Sequence, residues 1–121
     1  MEKNDIKYMG IPNICFSLTD DNDEREVEFK QQRLSRGFDD SETWSLRDTI
    51  AKFIIPRLER YLEVSENYVN NTKETEEITQ FLTAMKLIAR NNGIAIYDDA
   101  EEKQIKQGLK KFTKIFMGLW W

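Results

Sequence analysis

Apolar residues recur three or four positions apart through most of this 121-residue chain, and that spacing limits the folds it can adopt. An α-helix completes a turn every 3.6 residues, so side chains at these intervals form one continuous apolar face. The sequence contains three such faces: Ile50, Phe53, Ile54, Leu58, Tyr61 and Leu62; Ile78, Phe81, Leu82, Met85, Ile88 and Ala89; and Ile105, Leu109, Phe112, Phe116 and Leu119 or Trp120. This pattern predicts an all-α fold, a compact bundle of three to four helices with an irregular N-terminal segment.

The beginning of the chain lacks a helical pattern. Residues 1–22 show only a short alternation of Ile14, Phe16 and Leu18, which is a weak strand signal, before a run of acidic residues. We therefore expect an irregular segment over 1–22 and a single helical domain over 23–121.

The first two predicted helices carry recognisable end signals. A helix from about Glu24 to Arg36 would end at Gly37, because glycine readily takes a left-handed conformation. Ser45 and Asp48 have the spacing of a capping box, which marks the start of the second helix. Pro56 lies inside that helix and predicts either a kink or two shorter helices that meet there.

Two further helices are predicted in the second half. The third runs over about 73–91, and the stop signal Asn91-Asn92-Gly93 ends it, since Gly93 can take a left-handed conformation. A short apolar linker over 94–97 follows. The fourth opens on the capping pattern Asp99-Ala100-Glu101-Glu102 and reaches about Leu119. It contains Gly108, which costs about 1 kcal/mol of helix stability relative to alanine. Close approach of another helix would explain a glycine at that position.

The composition excludes several kinds of catalytic site. The chain has no histidine, so it can form neither a Ser-His-Asp or Cys-His system nor a histidine-based zinc site. Cys15 is the single cysteine, which excludes an intrachain disulfide and indicates a reducing compartment. We expect no catalytic residues, no metal site and no cofactor.

Charge and hydropathy argue against duplex DNA and a membrane as partners. The net charge of −4 argues against duplex DNA as a general partner. The residues from Met1 to Asp5 carry charges of both signs, which is not the pattern of a signal peptide, and no apolar run is long enough to span a membrane. We expect a cytoplasmic chain that does not enter a membrane.

Arginines form the first candidate binding site. Five of them fall within thirty residues: Arg33, Arg36, Arg47, Arg57 and Arg60. Because guanidinium groups bind phosphates and carboxylates in a bidentate manner, Arg57 and Arg60, with Arg47, are candidate ligands for a nucleotide. The favoured interpretation is salt bridging, since acidic residues are at least as dense in the same stretch.

Lysines and tryptophans form the other candidate sites. The fourth helix carries Lys103, Lys106, Lys110 and Lys114 on one side, which either contact an acidic partner or form a solvated face. We take Lys106 and Lys110 as the candidate contacts. Trp120 and Trp121 follow that helix, and at least one of them is expected to pack into the core. The favoured interpretation is that both pack into the core or on each other, and the alternative is that one is exposed and anchors a partner.

Two distant segments carry a family resemblance. Residues 37–46 read GFDDSETWSL, residues 51–58 read AKFIIPRL, and Gly108-Leu109, Phe112, Leu119 and Trp120 follow at matching positions. This pattern resembles an uncharacterised family of small proteins encoded by tailed bacteriophages and prophages. The resemblance implies a phage protein that acts inside a bacterial cell, and it implies no reaction.

These observations predict a non-enzymatic phage protein that works by binding in the cytoplasm of the infected host. The leading hypothesis is an inhibitor or adaptor that binds a host or anti-phage defence component. One alternative is a homo-oligomer that sequesters a nucleotide second messenger. Another is a virion or DNA-packaging accessory protein.

Overall fold

The computed structural model describes residues 15–65 and 72–120. These residues form four α-helices and three short 3-10 helices, without a β-strand, and the prediction of an all-α fold is confirmed. The α-helices are α1 (Glu26–Arg36), α2 (Leu46–Ser65), α3 (Thr72–Ala89) and α4 (Asp99–Ile115); the 3-10 helices are Asp40–Thr43, Arg90–Gly93 and Phe116–Gly118. None of the described helices has a stretch long and apolar enough to cross a bilayer.

The chain divides into two compact units within α2. The first unit comprises residues 1–49 and the second comprises residues 50–121. The single helical domain over 23–121 stays a prediction. Residues 15–18 are irregular, as expected for the N-terminal segment, while Ile14 of the strand-like alternation lies outside the described residues.

In the first half the end of α1 follows its sequence signal, whereas the capping box predicted at Ser45 and Asp48 stays a prediction. Gly37 ends α1 with a φ of 88°, and its N–H donates to the Arg33 carbonyl at 2.9 Å. Helix α2 continues through Pro56, so the alternative of two shorter helices is wrong. A capping box is present at Asp39 and Glu42, before the 3-10 helix Asp40–Thr43.

Two predicted helix ends in the second half are wrong by one or two residues. Helix α3 ends at Ala89, two residues before the predicted Asn91, and Asn91 itself takes a left-handed conformation with a φ of 53°. Asparagine tolerates this region because its short polar side chain stabilises it locally. The cap of α4 is Asp98, one residue earlier than predicted, and it forms a capping box with Glu101. The connection over 94–98 is non-helical, as expected.

The core of the second unit is apolar. Its buried members come from α2, α3 and α4: Ala51, Leu58, Ile78, Phe81, Leu82, Ala84, Met85 and Ile115. Phe112 of α4 stacks on the buried Phe81, with ring centroids 4.6 Å apart. The apolar face predicted for α3 is confirmed as core-forming. On α2 the prediction holds for Leu58 and for Ile54, Tyr61 and Leu62, which pack against the core. It is wrong for Ile50 and Phe53, which are 52% and 49% exposed because the buried side of α2 is turned toward Ala51 and Leu58.

Gly108 lies where α3 and α4 approach each other closely. A Cβ atom built on Gly108 would lie 2.5 Å from the Ala84 Cβ and 2.6 Å from the Gln80 carbonyl oxygen. Both distances are too short for non-bonded atoms, so this position accepts only glycine without a shift of the helices. The close approach predicted from the sequence is present.

We expect Gly108→Ala to lower the free energy of unfolding by about 1–3 kcal/mol, because the overpacking outweighs the gain in helix propensity. Gly118→Ala is the matched control, since its Cβ would meet Glu74 Oε1 at an ordinary 3.6 Å. Urea denaturation followed by circular dichroism measures both. Equal stability of the two variants would contradict the packing described.

The first unit buries charged side chains. Arg33 is 6% exposed and donates to Glu26 and, at 2.5 Å, to Oδ2 of the fully buried Asp39. Asp39 Oδ1 accepts from the Ser41 amide at 2.9 Å and from the Ser41 hydroxyl at 2.5 Å. The guanidinium therefore joins α1 to the segment that precedes α2.

An aromatic pair lies at the edge of this unit. Trp44 is 51% exposed and packs edge-on against the buried Phe29, with ring centroids 6.0 Å apart. The Arg25 guanidinium lies 4.8 Å from the Trp44 ring centroid and 5.4 Å from that of Phe29. Trp44 thus packs on α1, which agrees with a structural role.

We expect Arg33→Met to lower the free energy of unfolding by about 3–5 kcal/mol, because it leaves two carboxylates buried without their cation. Arg36→Met is the control, since its ion pair with Asp40 at 2.7 Å is exposed and such pairs contribute less than about 1 kcal/mol. Urea denaturation of the two variants checks the difference. Losses of similar size would show that burial does not strengthen the Arg33 contacts.

Acid pH tests the same network. Burial raises the pKa of Asp39, but hydrogen bonds from Ser41 and Ser17 and the ion pair with Arg33 outweigh burial and lower it below the ordinary 3.8. A carboxyl with a lowered pKa stabilises the fold above its unfolded pKa and loses that contribution as the pH falls through its folded pKa.

We therefore expect the stability difference between the wild type and Asp39→Asn to be largest above about pH 4, the pKa of an unfolded aspartate, and to shrink as the pH falls. Urea denaturation over a pH series measures it. A difference that stays constant down to the acid limit would contradict the assigned role of the Asp39 charge.

Candidate functional site

The candidate site lies on α4, whose first turn is held by a capping box and an ion pair. Asp98 accepts from the Glu101 amide at 2.8 Å, and the Glu101 carboxylate accepts from the Asp98 amide at 3.2 Å. Arg90 donates to Glu101 at 2.5 Å and to the Ile96 carbonyl at 3.2 Å. The hydrogen bond from Arg90 lowers the pKa of Glu101, which keeps this carboxylate charged.

Four lysines extend along the solvent side of α4, and we call them the lysine stripe: Lys103, Lys106, Lys110 and Lys114. Their spacings of three and four residues place them on one side of the helix. All four are exposed, and within residues 15–65 and 72–120 none of them forms an ion pair. Lys111, on another side of α4, faces Glu77 at 4.0 Å.

The lysine stripe borders a shallow surface recess of about 330 Å³. Its walls combine both signs of charge: Asp99, Glu102, Lys103, Lys106, Gln107 and Lys110. Two predicted contacts, Lys106 and Lys110, therefore lie on the same recess. The lining offers ionic and hydrogen-bonding groups and no nucleophile–base pair.

Large apolar side chains lie exposed beside this stripe, and we call them the apolar border: Leu109, Phe116, Met117 and Trp120, at 45%, 57%, 84% and 76% exposure. Leu109 and Phe116 are seven residues apart and share one side of the helix. Phe116 packs on Phe112, with ring centroids 5.0 Å apart, so the border continues outward from the core.

The backbone next to Trp120 is held from α2. The Tyr61 hydroxyl lies 3.2 Å from the carbonyl oxygens of both Gly118 and Trp120, to which it can donate. Burial, with the nearby Glu74 charge, raises the pKa of Tyr61, so the hydroxyl keeps its proton at neutral pH. Leu119 packs against the core while the Trp120 side chain projects into solvent. Trp121 lies outside the described residues.

The apolar border was not apparent from the sequence, where Leu109 and Phe116 read as core positions. The structure buries Gly108 and Ile115 instead. These two are also seven residues apart, so the core-facing side of α4 is rotated toward them and leaves Leu109 and Phe116 at its margin. The signal was present in Gly108, because a glycine at a close helix contact must lie on the buried side.

The arginines of the first unit do not share one environment. Arg33 is buried between Glu26 and Asp39, whereas Arg36 is exposed and pairs with Asp40. Arg47 is exposed, without an ion pair to any described residue. The salt-bridging interpretation therefore holds for Arg33 and Arg36.

The two arginines of the second unit make contacts within α2. Arg57 lies 3.9 Å from the Phe53 ring centroid and donates to the Phe53 carbonyl at 2.7 Å. Arg60 pairs with Glu63 at 2.9 Å. These local contacts favour a structural role over an anion site.

Comparison with known proteins adds no assignment, because no family model, curated protein or solved structure matches this chain. The resemblance to a phage family stays a prediction. Within the described residues, no group of three or more acidic or cysteine side chains is placed to hold a metal ion.

Proposed function

We propose that this chain is a small phage protein that acts by binding a host or defence protein in the cytoplasm of the infected bacterium, without catalysis of its own. The observation that carries the proposal is the apolar border of Leu109, Phe116, Met117 and Trp120. The four residues lie within twelve positions at the end of α4 and just after it, and exposed large apolar side chains that lie close together are typical of protein interaction sites.

The contacts that hold the apolar border in place support this proposal. Phe116 rests on Phe112, which in turn stacks on the buried Phe81. Tyr61 holds the backbone of residues 118–120. Because these contacts fix the surface before binding, less conformational entropy is lost when a partner docks.

The type of residue also supports protein binding. Tryptophan is enriched among the few side chains that dominate interface energetics, and methionine and phenylalanine are enriched at interfaces in general. The lysines beside them supply the polar rim that such interfaces have. The phage origin rests on the sequence resemblance alone.

The test begins with capture of bacterial proteins by the full-length tagged chain, followed by purification of the partner and calorimetric titration. We expect the double variant Met117→Ser and Trp120→Ser to weaken the purified complex by about tenfold or more, because interface tryptophans commonly contribute 2 kcal/mol or above, on the order of hot-spot values.

The matched control replaces Ile94 and Ile96 with serine. These side chains are 81% and 96% exposed but lie on the connection before α4, away from the apolar border in sequence. We expect this control to keep wild-type affinity. Equal weakening by both double variants, or by neither, would contradict the proposed surface.

A further inference from the structure

The lysine stripe reverses the charge of the chain locally. Its first and last lysines, Lys103 and Lys114, are eleven positions apart on α4, which at a rise of 1.5 Å per residue is about 16 Å. The chain as a whole carries a net charge of −4, yet none of these lysines is neutralised by an ion pair within the described part of the chain. A protein surface that docks along these lysines is favoured electrostatically when it is acidic.

An apolar row adjoins the lysine stripe. Lys106 neighbours Lys110 four residues ahead and Leu109 three residues ahead, so the charged and apolar rows meet at Lys106. Leu109 and Phe116 lie two turns apart, about 10 Å along the axis. The exposed side of α4 thus offers two parallel rows, one cationic and one apolar.

We infer that this side of α4 binds an acidic amphipathic helix of the partner protein, with carboxylates opposite the lysine stripe and an apolar row against Leu109 and Phe116. An amphipathic helix has both rows at the same repeat of three and four residues. The inference rests on the proposed function and specifies the chemistry of the partner.

A second copy of the chain fits this surface less well. Two copies of α4 that pair through this side would place lysine stripes against each other, and Asp99 and Glu102 at one end supply only two opposing charges for four lysines. Like charges at such distances are destabilising.

Nucleic acid also fits less well. The carboxylates of Asp99 and Glu102 line the same recess as Lys106 and would repel phosphates. The apolar row would find no complement on a phosphate backbone.

Synthetic peptides test the inference directly. The probe is a helical peptide with glutamates at spacings of three and four beside a leucine row, and its two controls carry glutamine for glutamate or the same residues scrambled around the helix. By fluorescence anisotropy at about 50 mM salt, we expect the acidic amphipathic peptide to bind the full chain about tenfold more tightly than either control.

Charge reversal locates the contact. We expect Lys106→Glu with Lys110→Glu to weaken binding of the acidic peptide by about tenfold, whereas Lys73→Glu, an exposed lysine at the start of α3, leaves it within about twofold. Leu109→Ser should weaken it as well. Equal affinity for all three peptides, equal effects of the lysine variants, or tighter binding of a duplex DNA oligonucleotide would overturn the inference.

The purified partner separates the two proposals. If Met117→Ser with Trp120→Ser weakens that complex while the reversal at Lys106 and Lys110 does not, the acidic-helix inference fails and the proposed function stands. If neither double variant weakens it, both fail. Weakening by both, with the Lys73→Glu complex unchanged, supports both.

Discussion

The close contact between Gly108 and Ala84 determines how the second unit presents its surface. Because Gly108 has no side chain, α3 can approach this side of α4 closely, and this side is the one turned inward. Ile115 follows on the same side and is buried, while Leu109 and Phe116 remain at the margin and the lysine stripe faces solvent. The side chains that α4 exposes therefore depend on the absence of a side chain at Gly108.

The two units bury different kinds of side chain. The second unit excludes water from aliphatic and aromatic groups, which is the common driving force of folding. The first unit places Arg33 between two carboxylates and joins Asp39 to Ser41. Such a network contributes little net stability compared with an apolar core, but it accepts few alternative arrangements, since each unpaired charge is costly.

The apolar periodicity was sufficient to predict the helices. The glycines predicted the end of α1 at Gly37 and the close approach of another helix at Gly108. The periodicity could not place Leu109 and Phe116, because apolar residues at a helix margin have the same spacing as those in the core. Nor could it separate the buried Arg33 from the exposed Arg36, since both have acidic neighbours in sequence and only tertiary packing removes one pair from water. The identity of a partner leaves no periodic signal at all.

The contacts of Arg90 have a consequence for the connection between α3 and α4. Residues 94–98 belong to no helix, and Ile94 and Ile96 are exposed there, so apolar burial does little to hold this stretch in place. Arg90 donates to the Ile96 carbonyl and lies beside the Tyr97 ring, and it also pairs with Glu101 at the start of α4. One guanidinium thus ties the exposed connection to the helix that follows it, a task that apolar contacts perform elsewhere in the second unit.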